Sequence, residues 1–168
     1  MSRSSVSRPH RSNAHLVSAS ILSLLVGGAV YYTIEILSRG WSHWTMALCG
    51  GLCLAGIYHA NRLLYRRSLL LRALCGAAII TLVELIAGCI LNLWLGLRIW
   101  SYANHTLNIG GQVCVYMSFL WFLLSIPACL LCALIDAFVS RAGLFFKSLG
   151  RSMRRHAVYK PNENVRSQ

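Results

Sequence analysis

The chain has 168 residues, of which 57% are hydrophobic and 12% are charged, and its formal net charge is +12. Soluble domains carry about 25% charged residues, so the composition argues against a soluble domain. The basic residues flank long apolar runs and form no separate basic patch, which argues against nucleic-acid binding.

Four apolar runs are long enough to cross a membrane as helices. A hydrocarbon core of about 30 Å requires about 20 residues in a helix, and we predict spans at residues 16–37, 41–60, 73–97 and 113–138. These runs do not alternate between polar and apolar residues, which excludes the strands of a membrane barrel. The predicted fold is therefore all-α, an integral membrane bundle of about four helices formed by residues 16–138.

Lysine and arginine are distributed unevenly around these spans. The two tails, residues 1–15 and 139–168, and the loop between the second and third spans carry all of them except Arg39 and Arg98. Cytoplasmic segments of membrane proteins are enriched in these residues. We therefore expect a multi-pass protein of the cell membrane with both termini in the cytoplasm. The C-terminal tail is either an amphipathic helix on anionic lipid or a solvated basic tail.

Small and polar residues follow one face of the third predicted span. Spacings of three and four residues place them on a narrow strip of a helix, which marks a contact with other helices because lipid prefers the apolar side. The members of this strip are Ala77, Thr81, Glu84, Gly88, Asn92 and Gly96. The fourth span has a similar strip, at Trp121, Ser125, Cys129, Cys132 and Asp136.

Glu84 lies near the middle of its predicted span, where an ionised carboxylate costs at least about 2.5 kcal/mol. It is either a proton or cation site, or a structural group bonded to Asn92, Thr81 or a neighbouring helix. We name the predicted pathway residues the polar seam, with an outer mouth in the loop after the third span. Its members are Glu84, Asn92, Thr81, Trp100, Tyr102, Asn104, Asn108 and Gln112.

Two other acidic residues are predicted to form structural ion pairs. Glu35 precedes Arg39 by four residues, which is the favourable order for a pair on a helix. Asp136 lies near the inner end of the fourth span, within reach of Arg72 or Arg141.

No metal site, cofactor site or enzymatic activity is predicted. The histidines are scattered without the spacing of metal ligands, and no phosphate-binding loop with Gly-Lys-Ser/Thr is present. Cys129 and Cys132 have the spacing of a redox pair. They lie, however, in the predicted inner half of a span, beside a reducing cytosol.

Two stretches of sequence, residues 39–53 and residues 81–88, resemble the bacterial family described as Putative ABC-transporter type IV. The likeness continues through Asn92, Trp100, Tyr102, Asn108 and the Gln112-Val113-Cys114 run, and it covers about residues 20–135. The family usually has an acidic residue where this chain has Ser101. The resemblance implies a small bacterial multi-pass membrane protein that is a transporter component.

The leading hypothesis is a permease-like transport component without its own ATPase. It would act in the lipid bilayer as a homo-oligomer or with a separate ATPase subunit. The alternative is a non-transporting scaffold or regulatory protein whose basic tails bind a partner or anionic lipid.

Overall fold

The computed structural model describes residues 12–158, with side chains described for residues 12–153. It contains α1 (Asn13–Arg39), α2 (Trp44–Leu63), α3 (Leu69–Gly88) and α4 (Val115–Val158). A π-helical turn, Cys89–Trp94, extends α3, and two short strands, β1 (Asn108–Ile109) and β2 (Val113–Cys114), pair in antiparallel fashion. The all-α prediction is confirmed. Most of the predicted N-terminal tail and the last ten residues of the C-terminal tail lie outside the described residues.

Polar side chains determine where the first three helices begin. Ser12, His43 and Ser68 each accept a hydrogen bond from a backbone N–H in the first turn of α1, α2 and α3 respectively. Such side chains replace the carbonyl partners that the first turn of a helix lacks. Gly40 ends α1 in the left-handed conformation, with φ of 76°.

Glycines allow α1 and α2 to pack closely and in opposite directions. A Cβ on Gly27 would lie 2.6 Å from the carbonyl oxygen of Gly50, and one on Gly28 would lie 2.7 Å from that of Ala47. Further down the pair, Ser20 contacts His59 at 3.0 Å. Small residues at a helix contact are typical of membrane bundles, because they let two backbones approach.

Consecutive helices run antiparallel around the bundle. Gly76 of α3 faces Ser125 of α4, and Thr81 bonds to Ser118 further along the same pair. The upper end of the bundle is defined here as the end with Gly40 and the loop of residues 95–112. The lower end carries residues 64–68 and the beginning of α1.

Among the residues that the structure describes, three helical segments are long and apolar enough to cross a membrane: Asn13–Arg39, Leu69–Trp94 and Val115–Met153. They fit a membrane protein. The helix α2 has 20 residues and is not among these three, although it packs beside α1 from Ala47 to His59. A fourth crossing at α2 stays a prediction.

With the π-helical turn counted as part of α3, the boundaries of the four helices differ from the predicted spans at both ends, by two to four residues except at the end of α4. The third helix ends at Trp94, and Gly96 adopts φ of 65° in a turn closed by the Leu97 N–H bonding to the carbonyl of Leu91. This is the usual glycine C-cap geometry, so Gly96 does not extend the helical strip of α3. The fourth helix continues for twenty residues beyond residue 138, to Val158.

Candidate functional site

Glu84 is buried in the upper half of the bundle, with 8% of its surface exposed. Its Oε1 accepts a hydrogen bond of 2.7 Å from the Tyr102 hydroxyl, and its Oε2 accepts one of 2.8 Å from the indole Nε1 of Trp121. Of the partners considered from sequence, the neighbouring helix is correct, whereas Asn92 and Thr81 do not bond to Glu84. The carboxylate therefore joins α3 to α4 and to the loop.

Asn92 fastens the upper loop to the end of the third helix. Its Nδ2 donates to the carbonyl of Trp100 at 3.0 Å and to Oε1 of Gln112 at 2.9 Å. Its Oδ1 accepts from the N–H of Ile99 at 2.7 Å. A buried amide that makes three hydrogen bonds holds the loop in one position, since each bond lost would leave a buried polar group unpaired.

Gln112 packs against a glycine of α3. A Cβ on Gly88 would lie 2.6 Å from Oε1 of Gln112, so only glycine leaves room for this amide. The Gln112 carbonyl also accepts a hydrogen bond of 3.1 Å from the indole of Trp100. Asn92, Trp100 and Gln112 thus form one connected network directly above Glu84 on α3.

A cavity of about 290 Å³ lies between all four helices, next to Glu84. Its walls are mainly aliphatic and aromatic. Residues from each helix and the loop contribute: Val30, Tyr31, Cys49, Cys53, Val83, Glu84, Trp100, Trp121, Leu124 and Ala128 are among them. Glu84 is the one carboxylate among the described residues that line it.

The exposure of the lining residues indicates that this cavity opens between α1 and α4. Of its lining residues, Val30, Ile34 and Pro127 are exposed on the bundle surface, whereas those from α2 and α3 are not. These three side chains are apolar, and Val30 and Ile34 lie in the upper half of α1. The cavity is therefore open to the side of the bundle, where lipid surrounds a membrane protein.

Of the eight residues of the predicted polar seam, Glu84 and Trp100 line this cavity and the other six do not. Thr81 donates to Ser118 at 3.2 Å and lines a separate groove between α3 and α4. Asn108 bonds within the loop, to the carbonyl of His105 and the N–H of Gly111, and Asn104 is exposed. Their part in a pathway stays a prediction.

Tyr102 is the loop residue that reaches Glu84. Burial raises the pKa of the Tyr102 hydroxyl, and the nearby Glu84 carboxylate raises that pKa further. Both effects disfavour the phenolate. Tyr102 therefore remains a hydrogen-bond donor to Glu84 throughout the physiological pH range.

The Glu35–Arg39 pair forms as predicted. Arg39 Nη2 donates to Glu35 Oε1 at 2.7 Å, and the Ser42 hydroxyl donates to Glu35 Oε2 at 2.6 Å. The guanidinium also lies 4.6 Å from the ring centroid of Trp41. The pair sits where α1 turns into α2 and braces that turn.

Asp136 belongs to a polar cluster at the lower end. Its Oδ1 accepts a hydrogen bond of 2.9 Å from Tyr58 and lies 3.9 Å from both Arg62 and His15. Arg72, one of the two partners expected from sequence, instead donates to Asn61 at 2.9 Å. Asp136 thus links α4 to α1 and α2, in keeping with its predicted structural role.

Sequence reasoning did not identify the aromatic contacts of Glu84. Trp121 was placed on the polar strip of α4 but not assigned a partner, although a buried indole N–H ordinarily requires one. Tyr31 lines the cavity, and its ring centroid lies 6.2 Å from that of Trp121. Trp121 on a strip of small polar residues was the one available signal.

A buried carboxylate beside a cavity, as at Glu84, can bind a ligand or exchange a proton or a cation. Within residues 12–153, whose side chains the structure describes, no group of three His, Cys, Asp or Glu side chains could hold a metal ion. Cys129 and Cys132 are free thiols in the packed core, and the Cys132 thiol contacts the carbonyl of Leu54 at 3.8 Å. Their position matches small apolar core residues.

Comparison with curated proteins and with solved structures gave no match. A model of the family described as Putative ABC-transporter type IV matches residues 37–157, well over half of the 168 residues. The matched range includes Glu84, Asn92, Trp100, Tyr102 and Gln112. The chain therefore belongs to the Putative ABC-transporter type IV family.

Proposed function

We propose that this chain is a permease-like component of a transporter in the bacterial plasma membrane. It crosses the membrane four times with both termini in the cytoplasm, and it relies on another subunit for ATP hydrolysis. The observation that carries the proposal is a buried carboxylate, Glu84, beside a cavity that all four helices line.

The electrostatic setting of Glu84 supports a binding role. Its two hydrogen-bond donors, Tyr102 and Trp121, are both neutral. Among residues 12–153, no Lys, Arg or His side chain forms an ion pair with it. Ionisable residues inside membrane spans are rare and mark substrate or ion pathways in general. A carboxylate without a cationic partner is suited to a ligand that supplies one.

The shape of the cavity supports a component that works with partners. The lining residues lie in the upper and middle parts of the bundle, whereas the lower end is filled by the polar cluster around Asp136. A solute that enters the cavity would need a conformational change to leave at the lower end. We infer that a second copy of the chain or a separate ATPase subunit drives this change.

The proposal is tested by following solutes in the host cell without assuming which one is moved. Cells that carry the wild-type chain, Glu84→Gln, Glu35→Gln or no chain are compared by mass spectrometry of the cell contents and the medium. We expect at least one solute to change its distribution in the deletion and in Glu84→Gln, but not in Glu35→Gln. No difference between wild-type and deletion cells would overturn the proposal.

One observation favours the alternative of a scaffold or regulatory protein. Beyond the bundle, α4 presents exposed apolar side chains on one side of the helix, including Phe145, Phe146 and Met153. Lys147 and Arg151 are four residues apart and occupy a different side, as in helices that lie on anionic lipid.

Deletion of residues 142–168 distinguishes the two candidates in the same cells. A scaffold loses its effect on the cell with this deletion and keeps it with Glu84→Gln. A transporter component shows the reverse pattern, because its cavity is intact without the tail.

A further inference from the structure

The cavity beside Glu84 restricts the ligands that it can hold. Its volume of about 290 Å³ is at the lower limit of the about 300–1,000 Å³ typical of small-molecule pockets. A helix is about 10 Å across with its side chains, so the cavity is too small for a helix of a second copy. The occupant is therefore a small molecule.

The lining also determines the chemistry of the occupant. Most of the wall is apolar. The polar groups of a ligand that carries several of them would therefore lack hydrogen-bond partners, and each unpaired group would weaken binding by about 1–3 kcal/mol. No Lys or Arg occurs among the described residues that line the cavity. An anion would therefore meet the Glu84 carboxylate without any compensating positive charge.

Glu84 offers the one strong polar contact in this space. An ionised carboxylate has about four lone-pair sites, and two of them are used by Tyr102 and Trp121. The remaining sites can accept hydrogen bonds from an ammonium group, which carries three donors. Tyr31, Trp100 and Trp121 also line the cavity, and aromatic rings attract cations through their faces.

We propose that the cavity binds a lipophilic amine, a molecule with an apolar body and one protonated amino group, whose ammonium pairs with Glu84. The ligand enters from the lipid between α1 and α4, past Val30, Ile34 and Pro127. This inference rests on the proposed function, since it names the ligand class of the same site.

Three compounds that share one apolar body test the proposal on purified full-length protein in detergent. They are 4-phenylbutylamine, 4-phenylbutanol and 4-phenylbutanoate, which carry a cationic, a neutral and an anionic group. Binding is followed by the tryptophan fluorescence of the protein, to which Trp100 and Trp121 beside the cavity contribute, and checked by equilibrium dialysis. We expect the amine to bind about tenfold or more tightly than the alcohol, because charge-assisted hydrogen bonds are the stronger ones. The acid should bind most weakly.

Matched variants separate the charge of Glu84 from the space around it. Glu84→Gln should remove the preference for the amine over the alcohol, whereas Glu35→Gln and Thr81→Ala should retain it. Ala128→Leu fills part of the cavity and should weaken the amine and the alcohol alike. That variant keeps the charge of Glu84, so it tests the cavity even where Glu84→Gln does not fold.

Two results would overturn the inference. One is equal binding of the amine and the alcohol to the wild-type protein, which would indicate a purely apolar cavity. The other is an unchanged amine preference in folded Glu84→Gln.

Failure of the proposed function has a different signature, in which the amine binds through Glu84 but no solute in the cell changes its distribution. If the distribution of a solute depends on Glu84 but the amine does not bind, the proposed function stands and the lipophilic amine is rejected as the ligand class.

Discussion

Glu35 and Glu84 are two carboxylates in the upper half of the bundle with almost the same burial, at 7% and 8% exposed. Glu35 is paired with Arg39, whereas Glu84 accepts hydrogen bonds from the neutral donors Tyr102 and Trp121. Glu84 also lines the cavity, and Glu35 does not. Burial alone therefore does not identify a binding residue. Glu35 and Glu84 are almost equally buried, but Glu84 has no cationic partner among the described residues and lies beside a cavity.

The largest effect on stability is expected from Glu84→Ala. This change leaves the Tyr102 hydroxyl and the Trp121 indole N–H without an acceptor, at about 1–3 kcal/mol for each buried group. The free energy of unfolding should fall by about 2–6 kcal/mol, measured by SDS-induced unfolding in mixed micelles with circular dichroism. Glu84→Gln should lose less, since its amide oxygen still accepts one bond. Wild-type stability in Glu84→Ala would show that the two donors are not held by Glu84.

A smaller loss is expected from Arg39→Ala. It leaves Glu35 with only the Ser42 hydroxyl as a polar partner, but the Arg39 side chain is 28% exposed, so solvent screens the pair. We expect the free energy of unfolding to fall by about 1–3 kcal/mol in the same assay, which is less than for a fully buried ion pair. Amine binding should be unchanged, because the pair does not touch the cavity.

The double variant Arg39→Ala with Glu35→Gln is the control for this pair. Removing the charge of Glu35 should restore part of the lost stability, since the destabilising element is an unpaired buried carboxylate. No recovery would mean that Arg39 acts through its other contacts, with the carbonyl of Ile99 and the ring of Trp41.

The smallest effect concerns pH and Tyr102. The folded state raises the pKa of Tyr102 above the ordinary value of about 10, so its contribution to stability is complete below pH 10 and declines above it. Between about pH 10 and 11.5, the wild type should lose up to about 1.4 kcal/mol per pH unit more than Tyr102→Phe. Unfolding curves at several pH values measure this difference. Parallel pH profiles for the two proteins would contradict the placement of Tyr102 beside Glu84.

Local features of the sequence predicted much of the fold. The apolar runs indicate the helices, and the four-residue spacing of Glu35 and Arg39 brings the pair together within one helix. Ala77, Glu84, Gly88 and Asn92 are buried as their spacing indicates. Their burial follows from helical periodicity alone.

Long-range features could not be predicted in this way. Trp121 lies 37 residues after Glu84 along the chain, and only the packing of α3 against α4 brings them together. Arg72 bonds to Asn61 across the turn between α2 and α3. The pair of Arg72 with Asp136, which charge alone suggested, was therefore wrong. A cavity is the space left by several helices together, and no single stretch of sequence encodes it.

The pairing of an ammonium group with Glu84 can be measured directly. The chain contains only three glutamates, Glu35, Glu84 and Glu163, so labelling the glutamate carboxyl carbons with ¹³C gives few signals. Solid-state NMR with ¹⁵N-labelled 4-phenylbutylamine then measures which carboxyl carbon lies close to the amine nitrogen. We predict ¹³C–¹⁵N dipolar dephasing at the Glu84 signal, absent in Glu84→Gln. Dephasing at Glu35 or Glu163, or at no glutamate, would contradict the account.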